Sequence, residues 1–116
     1  MFNYRMSDPS TCQFYDLFPQ EELQNGERVF IEVERHSVVI FNIAGEYFAI
    51  ADVCSHDDGP LGDGELDGLT IICPRHGAQF DIRSGKALTL PAVQDIPAYP
   101  VRIQNGMIQI GLPKDS

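Results

Sequence analysis

Alternation of apolar and polar residues predicts β-strands along most of the chain. From residue 28 onward, apolar side chains recur at every second position, as at Val29, Ile31 and Val33. A period of two is typical of a strand with one buried face. Similar stretches predict further strands at 12–17, 38–43, 47–51, 65–66, 70–72, 79–82, 99–103 and 107–110. Because the sequence shows no long helical period, we predict an all-β protein.

Short turns separate these strands and predict antiparallel hairpins. Gly45, Asp67-Gly68 and Asn105-Gly106 each lie between two predicted strands, and Asn-Gly is a strong hairpin signal. His36 is predicted to lie in a tight, solvated connection at residues 35–37. Residues 19–23, which are followed by an Asn-Gly turn, favour a short turn of helix. Together these elements predict an antiparallel meander.

Length and charge restrict the function further. A chain of 116 residues is predicted to form one domain, 1–116, with a modest core. Its formal net charge is −9, which argues against nucleic acid as a partner, because phosphates are bound by Lys and Arg. An acidic surface favours encounter with basic patches on protein partners, although acidity also serves solubility alone.

Two short segments in the middle of the chain contain four good metal ligands. A C-x-H motif and a C-x-x-H motif are separated by sixteen residues, and the ligands are Cys54, His56, Cys73 and His76. Two thiolates and two imidazoles suit a tetrahedral zinc site. Zinc fingers, however, usually place both Cys in one loop and both His on a helix. Alternation of Cys and His in two similar loops favours two irons instead, since two His replace two Cys on one iron of some [2Fe–2S] centres.

Together with the residues Gly-Ala-Gln-Phe-Asp at 77–81, the two motifs resemble those of a Rieske protein. The resemblance implies one Rieske [2Fe–2S] cluster per chain, with Cys54 and Cys73 on the buried iron. It also implies that His56 and His76 bind the outer iron and expose their far ring edges to solvent. Four permanent ligands leave no open position for a substrate, which indicates an electron carrier and not an enzyme.

Three positions differ from the Rieske proteins of respiratory and photosynthetic cytochrome complexes. Gly59 and Arg75 stand where those proteins carry an additional pair of cysteines, and Ala78 stands where they have a serine hydroxyl. Fewer hydrogen bonds to the sulfur atoms stabilise the reduced cluster less. We therefore expect a potential near the low end of the Rieske range of roughly −150 to +300 mV. This pattern is similar to the soluble Rieske ferredoxins of ring-hydroxylating oxygenase systems.

The resemblance also implies the Rieske fold, an antiparallel β-sandwich or barrel-like basal part with an inserted cluster-binding subdomain. Residues of about 52–90 are expected to form that subdomain, with a proline-containing third loop at 90–92 shielding the cluster. Gly59 and Gly62 are expected to let backbone N–H groups approach the cluster. Leu61 is expected either to cover the metal or to belong to the core.

The implied function is a soluble ferredoxin of aromatic hydrocarbon catabolism, an electron-transfer component of a dioxygenase system. It would carry single electrons from an NAD(P)H-dependent flavin reductase to a terminal ring-hydroxylating oxygenase, and a monomer suits such a shuttle. Three cysteines, two of them assigned to metal, do not supply a disulfide pair, which favours a reducing compartment. No apolar run is long enough for a signal peptide or a membrane span, so we expect a cytoplasmic protein that does not bind membranes.

Two alternatives remain at the level of the sequence. The same fold serves as the small subunit of NAD(P)H nitrite reductases, although that subunit often lacks the cluster ligands. A zinc-stabilised binding module without redox activity would use the same four side chains. Iron analysis separates zinc from iron, and the identity of the physiological partners separates the two redox roles.

Overall fold

A computed structural model describes residues 12–53, 60–74, 77–89 and 94–113 of the chain. Ten strands and one short 3₁₀ turn, Gln20–Glu22, account for the regular structure of these residues. The strands are β1 (Cys12–Pro19), β2 (Arg28–Val33), β3 (His36–Ile43), β4 (Glu46–Ala51), β5 (Glu65–Asp67), β6 (Thr70–Ile72), β7 (Gln79–Asp81), β8 (Ala98–Tyr99), β9 (Val101–Gln104) and β10 (Met107–Pro113). The predicted all-β fold class is confirmed.

The strands form three antiparallel sheets. The orders are β2-β3-β4-β8, β1-β10-β9 and β5-β6-β7. The prediction of a single meander is therefore wrong in part. Strand β1 pairs with β10, from Cys12 opposite Pro113 to Pro19 opposite Met107, so the two ends of the described chain are joined in one sheet. Hairpin turns give no information about such a pairing between distant strands.

Three hairpins have two-residue turns, two of them at the glycines that the local sequence indicates. Both central residues have positive φ in each turn: 48° and 71° at Glu34-Arg35, 55° and 88° at Ala44-Gly45, and 54° and 78° at Asn105-Gly106. Turns of this kind match the right-handed twist of the flanking strands. The hairpins predicted around Gly45 and Gly106 are confirmed.

His36 differs from its prediction. The connection between β2 and β3 is at Glu34-Arg35, and His36 is already the first residue of β3, opposite Val33. Its half-buried ring contacts Tyr99 edge to face, with 5.9 Å between the ring centroids. His36 is therefore a packing residue of the sheet and not a solvated turn residue.

Strand β3 is buried on both faces and separates two hydrophobic cores. Val38 and Ile40 face a core shared with the β1-β10-β9 sheet, whereas Val39 and Phe41 face a core shared with the β5-β6-β7 sheet. Successive side chains of a strand point to opposite faces, so a continuous apolar run at 38–41 serves both cores. The four-stranded sheet is thus the middle layer of the protein.

Among the described residues, no helix has the length and apolar character needed to cross a membrane.

Candidate metal centre

The β6–β7 hairpin places Cys73 at the base of the second ligand loop. Cys73 follows β6 directly, and 2% of its surface is exposed. Its N–H donates to the Ala78 carbonyl at 2.7 Å, and its carbonyl accepts the Gly77 N–H at 3.0 Å. Gly77 has φ of +77°, a left-handed conformation that favours glycine. Both backbone polar groups of Cys73 are therefore fixed, and the loop is closed at its base.

Cys73 belongs to the hydrophobic core that lies between the middle sheet and the β5-β6-β7 sheet. Its neighbours in that core include Leu61, Ala78 and Phe80, each 0% exposed. Leu61 is therefore a core residue, and it shares its core with the cysteine. Such surroundings exclude water from the thiol side of the centre, and the potential of a metal site depends on this solvent access.

The other three predicted ligands, Cys54, His56 and His76, lie outside the described residues. So do Gly59 and Arg75, as well as the predicted third loop at 90–92. Of the four ligand side chains, the structure therefore places Cys73 alone. Among the described residues, no group of three or more His, Cys, Asp or Glu side chains is arranged to hold a metal ion elsewhere.

The segment that follows the first ligand loop is bound to the middle sheet. The Oδ1 atom of Asp52 accepts the N–H groups of Leu61 at 2.9 Å and Gly62 at 2.6 Å. The expectation that the Gly62 N–H approaches the cluster is therefore wrong, because this donor is bound to Asp52. A Cβ atom at Gly62 would lie 2.5 Å from Cε2 of Phe30 and 3.1 Å from Cβ of Val39, so a larger residue would require these side chains to shift.

Arg28 provides a second anchor for the same segment. Its Nη1 atom donates to the Gly62 carbonyl at 2.6 Å and to the Gly64 carbonyl at 2.7 Å. The guanidinium lies over the Phe41 ring, 5.3 Å from the centroid. Sequence reasoning missed the roles of Asp52 and Arg28. Asp52 lies two residues before Cys54, but many acidic residues in the chain made its role hard to recognise.

Leu88 and Thr89, which precede 90–93, are bonded to β7, the strand that leaves the second ligand loop, and Asp95, which follows 90–93, is bonded to Ala87. The Leu88 N–H donates to the Gln79 carbonyl at 2.8 Å, and the Gln79 N–H donates to Oγ1 of Thr89 at 3.1 Å. The Ala87 N–H donates to Oδ1 of Asp95 at 2.9 Å. These bonds bring the segments that flank the predicted third loop close to the second ligand loop.

Charge near the centre is mainly negative. Asp63, Glu65 and Asp67 are exposed at the β5–β6 hairpin. Asp81 pairs with Arg83 at 2.9 Å. The hydrogen bond from the Arg83 side chain holds the pKa of Asp81 below its ordinary value of 3.8, against a smaller opposing effect of burial. Asp81 is ionised at neutral pH, and its charge is balanced by that of Arg83, so the exposed carboxylates of the β5–β6 hairpin provide the negative charge.

The fold and the site together define a small all-β protein with a buried cysteine at the base of a hairpin loop. The model of the Rieske [2Fe-2S] domain matches residues 13–100, which is most of the chain. The chain belongs to the Rieske [2Fe-2S] domain family, and the cofactor of that family is a [2Fe–2S] cluster.

Ferredoxins of dioxygenase systems are among the proteins to which the chain is similar. The 3-phenylpropionate/cinnamic acid dioxygenase ferredoxin subunit of Escherichia coli K12 is 39% identical over 97 residues, which cover 83% of this chain and 91% of that protein. A ferredoxin of Sphingomonas yanoikuyae B1 is 34% identical with a TM-score of 0.77, covering 87% of this chain and all of the other. The ferredoxin of carbazole 1,9a-dioxygenase from Nocardioides aromaticivorans IC177 is 28% identical with a TM-score of 0.78, covering 87% and 98%.

The described residues fit the family's cofactor. A thiolate is a preferred ligand of iron–sulfur clusters, and Cys73 is buried, fixed at both backbone groups and surrounded by apolar side chains. Ala78 has no hydroxyl, so its side chain donates no hydrogen bond to a sulfur atom, and its carbonyl is bound to the Cys73 N–H. The protein transfers electrons through this cofactor and is not itself an enzyme.

Proposed function

We propose that this chain is a soluble, low-potential Rieske ferredoxin of a ring-hydroxylating dioxygenase system. It accepts single electrons from an NAD(P)H-dependent flavin reductase and delivers them to a terminal oxygenase. The observation that supports this most directly is the similarity to dioxygenase ferredoxin subunits over nearly their whole length. The buried Cys73 at the base of its hairpin loop agrees with it.

We assign Cys54 and Cys73 to one iron of the cluster and His56 and His76 to the other. When bound, the cluster supplies reversible one-electron chemistry at a potential set partly by these ligands. The donor set supports the assignment, because two thiolates and two imidazoles in a C-x-H and a C-x-x-H motif are the ligands of a Rieske centre. We further propose residues 52–90 as the cluster-binding subdomain. The separate β5-β6-β7 sheet, which lies inside these limits, supports it.

We expect a low reduction potential because the ligand loops lack a disulfide and a serine hydroxyl. Gly59 and Arg75 cannot form a disulfide between the loops, and Ala78 contributes no hydroxyl. The reduced form is stabilised when hydrogen bonds to sulfur spread its additional negative charge. With fewer such bonds, we expect the protein to give up its electron more readily than the high-potential Rieske proteins do.

The surroundings of the centre suit a transient electron-transfer complex. A net charge of −9 and the exposed carboxylates of the β5–β6 hairpin favour encounter with basic patches on the reductase and the oxygenase. We propose that the protein acts as a cytoplasmic monomer, because a small shuttle must leave one partner before it binds the next.

The chain contains a matched control for the cysteine ligands. Cys73→Ser removes a proposed ligand, and we expect the purified variant to lose most of its iron and its visible absorption. Cys12→Ser changes another buried cysteine, in β1, and should keep both. Equal iron contents in the two variants would contradict the assignment of Cys73.

The histidine ligands can be tested in the same way. His56→Asn and His76→Asn are expected to abolish the electron paramagnetic resonance signal of the reduced protein. His36→Asn, which changes a histidine in β3, should preserve it. A signal that persists in either ligand variant would remove that histidine from the centre.

Reconstitution tests the proposed role. The purified ferredoxin is combined with the flavin reductase and terminal oxygenase of an aromatic dioxygenase system, and hydroxylated product is measured with NADH or NADPH. We expect product formation that depends on the ferredoxin and is absent with Cys73→Ser. Reduction by the electron donor of a nitrite reductase, without any coupling to an oxygenase, would contradict the proposed role.

A further inference from the structure

We propose that Asp52 and Arg28 are positioning residues of the metal centre, which fix the segment 61–64 and set the reduction potential by their opposite charges. The inference rests on the proposed function, because it requires a cluster at the assigned ligands. Neither residue is among those ligands. The structure shows both in contact with the segment that directly follows the first ligand loop.

Asp52 is held in place by the middle sheet. It follows β4, and its N–H donates to the Ser37 carbonyl at 2.9 Å. Its carboxylate accepts the N–H groups of Leu61 and Gly62. A single side chain thus joins the two ends of the segment 53–60, within which Cys54 and His56 lie. Hydrogen bonds from N–H groups to a carboxylate are about twice as strong as neutral ones, so this closure is firm.

Arg28 binds the same segment through the backbone carbonyl groups of that segment. Gly62 is bound through its N–H to Asp52 and through its carbonyl to Arg28, so both of its backbone groups contact a charged side chain. Arg28 also reaches the Gly64 carbonyl, and the Gly64 N–H donates to the Leu61 carbonyl at 2.9 Å. The planar guanidinium suits this role, since it directs several donors while its face rests on an aromatic ring.

The segment is closely packed at both of its glycines. A Cβ atom at Gly62 would lie 3.1 Å from Cβ of Val39, and one at Gly64 would lie 1.9 Å from the Ile72 carbonyl oxygen. The fully buried Leu61 side chain extends from the same segment into the core that contains Cys73. Asp52 and Arg28 therefore connect the first ligand loop to the apolar surroundings of a ligand in the second.

The two charges are expected to affect the potential in opposite directions. Reduction adds negative charge to the centre, so a nearby carboxylate disfavours it and a nearby guanidinium favours it. Asp52 lies two residues before Cys54 in the chain, and both side chains bind the segment 61–64, whose Leu61 shares a core with Cys73. In this partly buried environment the charges are screened less than on an open surface.

The test is the midpoint potential of neutral variants that keep a hydrogen-bonding atom. We expect Asp52→Asn to shift the potential to more positive values and Arg28→Gln to shift it to more negative values. Arg28→Lys restores the positive charge and should return the potential toward that of the unchanged protein. If the two residues had a purely structural role, the two shifts of the potential would not have opposite signs, and lysine would not restore the potential.

Matched controls lie in the β1-β10-β9 sheet. Asp16→Asn removes a carboxylate that accepts a hydrogen bond from Gln109. Arg102→Gln removes a guanidinium that lies over the Phe14 ring at 3.9 Å. Both controls should leave the potential and the iron content unchanged.

A second measurement keeps the positioning role testable on its own. In the presence of an iron chelator, we expect Asp52→Ala to lose its visible absorption several-fold faster than the unchanged protein, and faster than Asp52→Asn. Equal rates in all three proteins would overturn the positioning role. Potentials of Asp52→Asn and Arg28→Gln that do not move, or that move in the same direction, would overturn the electrostatic role. An unchanged protein without iron would instead refute the proposed function, and with it this inference.

Discussion

At the scale of single residues, apolar packing and a charged side chain both stabilise the site. Leu61 and Cys73 share a core from which water is excluded, while Asp52 holds the backbone that carries Leu61. The sequence predicted four metal ligands because cysteine and histidine have few other reasons to recur in two short motifs. It did not indicate Asp52 or Arg28, because the acceptors and donors that they bind are backbone groups, which are the same in every residue.

Leu61 provides a stability prediction at this scale. Leu61→Ala removes a fully buried side chain and should lower the free energy of unfolding by about 2–5 kcal/mol. Leu88→Ala is the matched control, since 45% of Leu88 is exposed, and it should change stability by less than about 1 kcal/mol. Chemical denaturation of both variants measures the difference. Similar losses would contradict the placement of Leu61 in the core.

Asp81 provides a pH prediction. The hydrogen bond from Arg83 lowers the pKa of Asp81 in the folded protein below the ordinary value of 3.8. The stabilisation that results is present above the unfolded-state pKa and is lost as the pH falls through the lower folded-state value. Asp81→Asn should therefore reduce the melting temperature slightly at neutral pH and have no effect in stronger acid. A difference that persists below the folded-state pKa would contradict the pairing.

At the scale of elements, the hairpins were predictable and the sheets were not. Asn105-Gly106 and Gly45 specify two-residue turns by their tolerance of positive φ, which is a local property. The pairing of β1 with β10 depends on contacts between residues nearly a hundred positions apart. His36 was assigned to a turn, yet its backbone pairs with Val33 at the start of β3 and its ring contacts Tyr99.

The β5–β6 hairpin provides a prediction at this scale. Gly64→Ala would place a Cβ atom 1.9 Å from the Ile72 carbonyl oxygen, so the end of β6 and residue 64, which Arg28 holds, must move apart. We expect loss of most of the bound iron, while circular dichroism still shows the strands of the other two sheets.

Gly68→Ala is the control at the opposite end of the same hairpin. A Cβ atom at Gly68 meets nothing within 4 Å among the described residues, although its φ of +62° makes alanine unfavourable by about 1 kcal/mol. This variant should lose some stability and keep its iron. Iron loss of the same extent in both variants would show that the close contact at Gly64 is not the cause.

At the scale of the whole molecule, the described residues form three sheets that pack through two hydrophobic cores. Because β3 contributes to both cores, the layer that supports the ligand loops is coupled to the sheet formed by the two ends of the described chain. The run of apolar residues at 38–41 was recognisable as a strand. Its burial on both faces depends on the β5-β6-β7 sheet, which packs against one of them.

Docking of a redox partner is expected near the ligand loops. Leu88 is exposed and bonded through its N–H to β7, the strand that leaves the second loop, so it suits an apolar contact with the oxygenase. We predict that Leu88→Ser slows ferredoxin-dependent turnover roughly three- to tenfold, which corresponds to about 1 kcal/mol of lost contact. The midpoint potential should not change.

Ile103→Ser is the control, because Ile103 is similarly exposed, at 38%, but lies on β9 in another sheet. It should leave turnover unchanged. Equal losses in both variants, or a loss in Ile103→Ser alone, would place the docking surface elsewhere.

We expect this chain to hold a two-iron, two-sulfide cluster and to transfer one electron through it. Chemical analysis of the anaerobically purified protein, together with electron paramagnetic resonance after reduction, tests this most directly. We predict about two irons and two acid-labile sulfides per chain, with a signal that appears on reduction by one electron. A colourless protein that contains zinc, or no metal after anaerobic reconstitution, would contradict the account.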